Sequence, residues 1–98
     1  MRYTTNMIIS FKHKGLQKYY ETGSTAGIQS KHKIKLKMIL AALDSSQVIE
    51  DMNILGYKLH PLKGKLNELW SVSVSGNWRI TFKFENGNIY IVNYEDYH

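Results

Sequence analysis

The sequence predicts an α+β domain in which an N-terminal strand and helices pack on one face of an antiparallel sheet. Apolar residues recur at helical spacing between residues 14 and 56, whereas apolar and polar residues alternate between residues 57 and 94. Alternating segments joined by short turns pair as antiparallel neighbours, and helices placed before them cover one sheet face. Because 98 residues suffice for one modest core, residues 1–98 are expected to form a single domain.

The N-terminal half predicts a short strand followed by helices. Residues 7–11, MIISF, are typical of a strand. Residues 14–21 predict a brief helix ending at Gly23, because Leu16, Tyr19 and Tyr20 fall on one side of it.

Residues 30–44 fit two patterns. The stretch KIKLKM alternates as a strand does, but four apolar residues recur at helical spacing: Leu36, Ile39, Leu40 and Leu43. A strand of this length without a turn is unusual, and Ala41 and Ala42 favour a helix, so a helix is predicted. A further helical turn or two is expected before Gly56.

The C-terminal half predicts four strands, at residues 57–62, 69–75, 78–84 and 89–94. The first is expected to end at Pro61, which has no N–H to donate to a central ladder. Alternation turns the serines of LWSVSVS and Arg79 of WRITFKFE to the face opposite the tryptophans. Asn86-Gly87 predicts a tight hairpin before the last strand.

The composition indicates a basic protein without disulfides. The net charge is +5 with a pI near 9.5, and seven lysines but one acid fall between residues 12 and 37. Such a surface attracts RNA or DNA, or equally an acidic partner protein. Cysteine is absent and no apolar run approaches the roughly 20 residues that cross a bilayer, so we expect a cytoplasmic protein with no membrane partner.

Five side chains supply what metal-independent RNA cleavage requires: His60, Lys63, Arg79, Tyr97 and His98. The RNA 2′-hydroxyl is the nucleophile, so the enzyme needs a base, an acid and cations for the developing phosphorane charge. Histidine suits proton transfer, arginine and lysine bind phosphate, and tyrosine stacks on unpaired bases.

Each of these residues also has an ordinary structural explanation. His60 fits a strand-end histidine and Lys63 fits a solvated loop lysine, so composition and spacing leave the ribonuclease hypothesis open. A zinc site is not expected, because the four histidines show no HExxH spacing and there is no cysteine. No GxxxxGK[ST] loop is present, which argues against nucleotide hydrolysis.

Four motifs make the sequence similar to a known family. FKHKGL, YKLHPLKG, WSVSVSGNWRITFKF and the closing NYEDYH resemble, in the same order, the HigB branch of the RelE/ParE toxin superfamily. The resemblance implies a RelE-like fold and a type II toxin that cuts translated mRNA in the A site of the 70S ribosome, without a cofactor. It also implies neutralisation by a helix-turn-helix antitoxin of the HigA kind, and operator DNA binding through the complex.

The resemblance also implies a set of active-site residues. They are His60 and Lys63 in HPLKG, Asn77 and Arg79 in NWR, and Asp96, Tyr97 and His98 in DYH. It implies that Arg79 and Lys63 hold the phosphate and that the histidines move protons, with His98 the most critical. Tyr97 is expected to support substrate placement. Negative charge around His98, from Glu95 and Asp96, favours its imidazolium form and therefore an acid role, with His60 as the candidate base. Arg79 and Lys63 oppose this effect once close, so the assignment of acid and base stays open.

Two alternatives remain beside this reading. ParE-type members of the superfamily inhibit DNA gyrase without RNA cleavage, and a non-catalytic RNA-binding module would not depend on His98. Residues 1–6 precede the usual start of the family, which leaves Met7 as an alternative initiator.

Overall fold

Two helices pack against a four-stranded antiparallel sheet, which confirms the α+β prediction. The structure is a computed structural model that describes residues 8–62 and 68–96. The helices are α1 (Lys14–Thr22) and α2 (Lys33–Ser45), with short 3-10 turns at Ser30–His32 and Ile49–Met52. The strands are β1 (His60–Pro61), β2 (Leu69–Ser75), β3 (Trp78–Glu85) and β4 (Asn88–Asp96), adjacent in that order. No helix in the described ranges is long and apolar enough to cross a membrane.

Both helices form at the residues predicted from the spacing of their apolar side chains. Helix α1 ends at Gly23, whose left-handed backbone lets its N–H donate to the Tyr19 carbonyl. The ambiguous segment is a helix, and its four periodic residues, Leu36, Ile39, Leu40 and Leu43, are all buried. Across from them lie the inward residues of the sheet, including Val72, Ile80 and Phe82. Burial of this shared apolar face holds the two layers together.

The N-terminal strand is shorter than predicted. Ile8 and Phe11 form isolated parallel bridges with Ile89 and Val92 of β4, and no continuous strand is present in residues 8–13. The Val92 N–H donates to Ser10 O, and the Val92 carbonyl accepts from Lys12. This segment therefore covers the outer edge of β4, which would otherwise expose unpaired backbone groups.

The predicted strand at residues 57–62 is also shorter, since ladder pairing is confined to His60 and Pro61. Lys58 adopts a left-handed backbone with φ of 54°, which breaks the extended conformation. The Tyr57 carbonyl still accepts from the Ser73 N–H, so the segment follows β2 without pairing regularly. Pro61 occupies this outermost strand, where a missing N–H is tolerated.

The Asn86-Gly87 hairpin forms as predicted, with φ of 54° and 82° at its two central residues. Strand β4 departs from simple alternation, because its register against β3 shifts between Thr81 and Lys83. Ile91 sits in this bulge with φ of 48°, a conformation that is costly for a β-branched residue. The bulge lets Ile89, Val92 and Tyr94 all face the core.

Gly15 and Gly27 bring the first turn of α1 against the loop that precedes α2. A Cβ placed on Gly15 would lie 2.4 Å from the Gly27 carbonyl oxygen, and one on Gly27 would lie 2.6 Å from the Gly15 Cα. Both obstacles are backbone, which cannot rotate away as a side chain does. The two glycines thus allow a close contact between the α1 turn and the loop.

Gly15→Ala is expected to destabilise the fold by about 1–3 kcal/mol, the usual cost of overpacking. This reverses the ordinary preference, since alanine is favoured over glycine inside helices by about 1 kcal/mol. Urea denaturation followed by circular dichroism measures the change. Lys18→Ala, at an exposed position of the same helix, is the control and should change stability by less than about 0.5 kcal/mol. An unchanged or raised midpoint for Gly15→Ala would show that the contact relaxes freely.

Candidate active site

The strand register gathers polar side chains into two neighbouring rows on the sheet face opposite the helices. Directly paired residues of antiparallel strands share a face. The first row is His60, Ser71, Thr81 and Asn93, and the second is Ser73, Arg79 and Glu95. We call the surface formed by these seven residues the polar face. It extends across all four strands, so each strand contributes at least one side chain.

Arg79 occupies the centre of this face. Its Nη1 donates to Ser71 Oγ at 3.4 Å, linking the second row to the first. Ser71 is fully buried and Thr81, two residues from Arg79 on the same face of β3, is 2% exposed. The prediction that Arg79 turns towards the serines of the neighbouring strand is confirmed. A guanidinium with a fixed plane can present its fork to the two non-bridging oxygens of a phosphate.

His60 joins the polar face through its pairing with Ser71. Its Nδ1 lies 2.9 Å from the Lys58 carbonyl oxygen, which can only accept, so Nδ1 carries the proton and donates. Nε2 is then the unprotonated nitrogen of the neutral ring. The left-handed backbone at Lys58 aims that carbonyl back at the imidazole two residues later. This tautomer leaves Nε2 as a proton acceptor, the state required of a general base.

Asn77 and Asp96 lie at the same end of the sheet as Arg79. Asn77 is exposed in the turn between β2 and β3, and Asp96 is exposed at the end of β4, opposite Trp78.

Glu95 shares the face of Arg79, because the bulge at Ile91 exchanges the two sides of β4 beyond it. The sequence analysis did not place Glu95 opposite Arg79, since no local signal marks a bulge at an isoleucine. Lys63, Tyr97 and His98 lie outside the described residues, so their assignments stay predictions.

Lys83 is a further cation on the outward side of β3, near its other end. Its Nζ lies 3.3 Å from Glu68 Oε1 and 3.9 Å from Glu85 Oε1. These carboxylates offset its charge locally. Lys83 therefore provides a matched comparison for Arg79, with a similar strand position but carboxylate partners.

His13 and His32 serve the packing of the helical layer. His32 is 3% exposed, and its Nδ1 shares a 2.6 Å hydrogen bond with the Tyr94 hydroxyl. His13 caps α1, because its Nδ1 accepts from the Leu16 N–H at 2.9 Å. Burial lowers the pKa of both imidazoles, with nearby Lys31 adding to the effect at His32. The sequence analysis did not identify this cap, because histidine is not among the residues preferred at the N-cap.

Comparison with known proteins gives two matches. Residues 9–98 match the family described as HigB-like toxin, a RelE-like toxin of the type II toxin–antitoxin system HigB. The chain is also 50% identical over 92 residues to Endoribonuclease HigB of Proteus vulgaris, an alignment covering 94% of this chain and 100% of that relative.

The His13 cap makes stability depend on pH. Because the folded state lowers the His13 pKa below its ordinary 6.5, the neutral cap stabilises the fold fully above about pH 6.5, and this contribution shrinks as the pH falls below that value. Replacement by asparagine keeps a capping oxygen but does not titrate. Urea midpoints of wild type and His13→Asn, measured from pH 7.5 to pH 5, should therefore fall less steeply for the variant. His32 lowers stability in the same range in both proteins, so the difference isolates His13. Parallel curves would contradict the role assigned to the cap.

Proposed function

Because this chain belongs to the HigB-like family of RelE-like toxins of type II toxin–antitoxin systems, we propose that it is an endoribonuclease that cuts mRNA during translation and so arrests growth. The name of the Proteus vulgaris relative, Endoribonuclease HigB, supports the activity at 50% identity. The observation that carries the proposal is that a guanidinium and an imidazole share the polar face: Arg79 donates to Ser71, the residue with which His60 pairs.

The proposed reaction uses the nucleophile that RNA already contains. His60 Nε2 removes the proton of the 2′-hydroxyl as its oxygen forms a bond to the adjacent phosphorus. The bond from phosphorus to the 5′-oxygen breaks, and His98 donates the proton which that oxygen acquires. The products are a 2′,3′-cyclic phosphate and a 5′-hydroxyl end, and no metal enters the sequence of steps.

Two cations, Arg79 and Lys63, and the buried hydroxyl of Ser71 would complete the catalytic site. Arg79 binds the non-bridging oxygens, whose charge grows in the transition state, and Lys63 adds a mobile positive charge. Since Ser71 is buried and accepts from Arg79, the guanidinium holds its position before substrate arrives. Asn77 and Asp96, at the same end of the sheet as Arg79, would support substrate placement together with Tyr97.

The proposed setting is the ribosomal A site, in the cytoplasm. The chain carries a net charge of +5, which favours association with the polyanionic ribosome. The family implies an antitoxin partner, and we propose that it is a helix-turn-helix protein of the HigA kind. In complex with it the toxin is held inactive and the pair binds operator DNA.

Substitution of the proton-transfer residues should abolish cleavage without unfolding the chain. Induction of wild type is expected to stop growth and to leave primer-extension stops within translated codons, whereas His98→Gln and His60→Gln should leave neither. Circular dichroism and antitoxin binding check that each variant is folded. Growth arrest without mRNA ends, accompanied by inhibition of DNA supercoiling, would instead support the gyrase-directed alternative. Full cleavage by His98→Gln would show that His98 is not the general acid.

Arg79→Lys should lower the single-turnover rate of mRNA cleavage by about 100-fold, because a lysine keeps the charge but loses the planar fork. Arg79→Ala should lower it further. Lys83→Ala is the matched control on the same strand and should change the rate by less than about twofold, because its charge is already offset by Glu68. Equal losses for Arg79→Lys and Lys83→Ala would indicate general electrostatic attraction rather than phosphate binding at Arg79.

A further inference from the structure

The outer surface of the helical layer contains a groove of about 580 Å³ between α1 and α2. Apolar and aromatic side chains form much of its lining, among them Tyr19, Tyr20, Ile34, Leu40 and Ala41. Ile34 is 66% exposed, and Met38, one helical turn further along α2, is 55% exposed. A contiguous apolar surface of this kind on a small basic domain is typical of a protein contact.

The walls of the groove are held in place by hydrogen bonds between the two helical segments. The Tyr19 hydroxyl donates to the Lys33 carbonyl at 2.6 Å, and the Tyr20 hydroxyl donates to Asp44 Oδ2 at 2.6 Å. Phe11 packs against the Tyr20 ring with centroids 5.3 Å apart. The groove is thus formed before any partner binds, which reduces the entropy that binding must overcome.

Asp44 offers a carboxylate oxygen in the groove that can accept a hydrogen bond from a bound partner. Its Oδ2 accepts from Tyr20, but Oδ1 is buried and accepts no hydrogen bond from any residue of the described ranges. Burying a carboxylate oxygen without a hydrogen-bond donor costs free energy. A partner that donates an N–H to this oxygen therefore gains more binding free energy than it would at a solvated site. Lys33 and Lys37 are exposed along the same groove.

We propose that this groove binds the antitoxin. The bound segment inserts apolar side chains between α1 and α2, places acidic side chains beside Lys33 and Lys37, and donates one hydrogen bond to Asp44 Oδ1. The proposal rests on the proposed function, which supplies an antitoxin as the partner, and it adds where that partner is recognised.

Charge favours this occupant over two others. A second copy of the chain also carries +5, so its lysines would meet Lys33 and Lys37 with like charge. RNA phosphates would be attracted by the lysines but repelled by Asp44, and they gain little from the apolar lining. An acidic amphipathic segment of a protein complements all three features.

The test measures the affinity of the full-length chain for its purified cognate antitoxin, by isothermal titration calorimetry. Ile34→Glu and Lys37→Glu should each weaken binding by at least about tenfold. Each adds a carboxylate that repels the acidic side chains of the bound segment, and the first also removes an apolar contact. Leu55→Glu and Lys12→Glu make the same changes at exposed positions outside the groove and should alter affinity by less than about twofold.

Asp44→Asn directly tests the hydrogen bond that the partner is proposed to donate to Asp44 Oδ1. Its amide oxygen is taken by Tyr20, so its NH₂ group replaces Oδ1 and faces the incoming donor. Binding should weaken by at least about fivefold, whereas the exposed Glu50→Gln removes the same charge elsewhere and should have no effect. In cells, Ile34→Glu should remain toxic but resist neutralisation by the antitoxin, because the polar face is unaltered.

Four results would overturn the proposal. Wild-type affinity in every groove variant would remove the groove as the binding surface. Self-association that Ile34→Glu abolishes, with antitoxin affinity unchanged, would assign the groove to a second copy. Loss of RNA filter binding in Lys37→Glu, again with antitoxin affinity unchanged, would assign it to RNA. Failure of wild type to bind the antitoxin would reject the partner itself, while mRNA cleavage, measured separately, would still report on the enzyme.

Discussion

The bulge at Ile91 decides which residues of β4 reach each face of the sheet. Strict alternation from Ile89 would send Ile91, Asn93 and Glu95 inwards, placing polar groups in the core. One extra residue opposite Phe82 restores Val92 and Tyr94 to the core and leaves Glu95 across from Arg79. An isoleucine at φ of 48° is an unfavourable way to make this bulge, and the burial of the residues beyond it offsets that cost.

The two sheet faces have different chemistry because of this register. On the inner face, Tyr94 connects to His32 through a 2.6 Å hydrogen bond and packs on Trp78 with ring centroids 4.6 Å apart. On the outer face, the buried Ser71 hydroxyl accepts from Arg79, and Thr81 is buried on the same face. The aromatic packing on the inner side thus lies behind β3, the strand that presents Arg79 on the outer side.

The helical layer and the polar face are separated by the sheet, which allows them to act independently. The lysines and the Asp44 groove belong to α1 and α2, whereas Arg79 and His60 belong to the opposite side of β3 and β1. Changes in the helical layer can therefore alter recognition without touching the residues proposed to act on RNA. The basic composition itself did not distinguish a nucleic acid from an acidic protein partner, and the groove favours the latter at this surface.

The sequence determined the elements of the fold and the sheet face on which Arg79 lies, because those features depend on local periodicity. Helical spacing from Leu36 to Leu43 outweighed the strand-like KIKLKM, Asn86-Gly87 fixed the hairpin, and alternation in β3 placed Arg79 on the face of the serines. Long-range geometry decided the rest. The break at Lys58 that sets the His60 tautomer and the bulge that brings Glu95 opposite Arg79 depend on how distant segments meet. So does the burial of Asp44 Oδ1 without a donor from residues 8–62 or 68–96, and no local pattern of residues specifies any of these features.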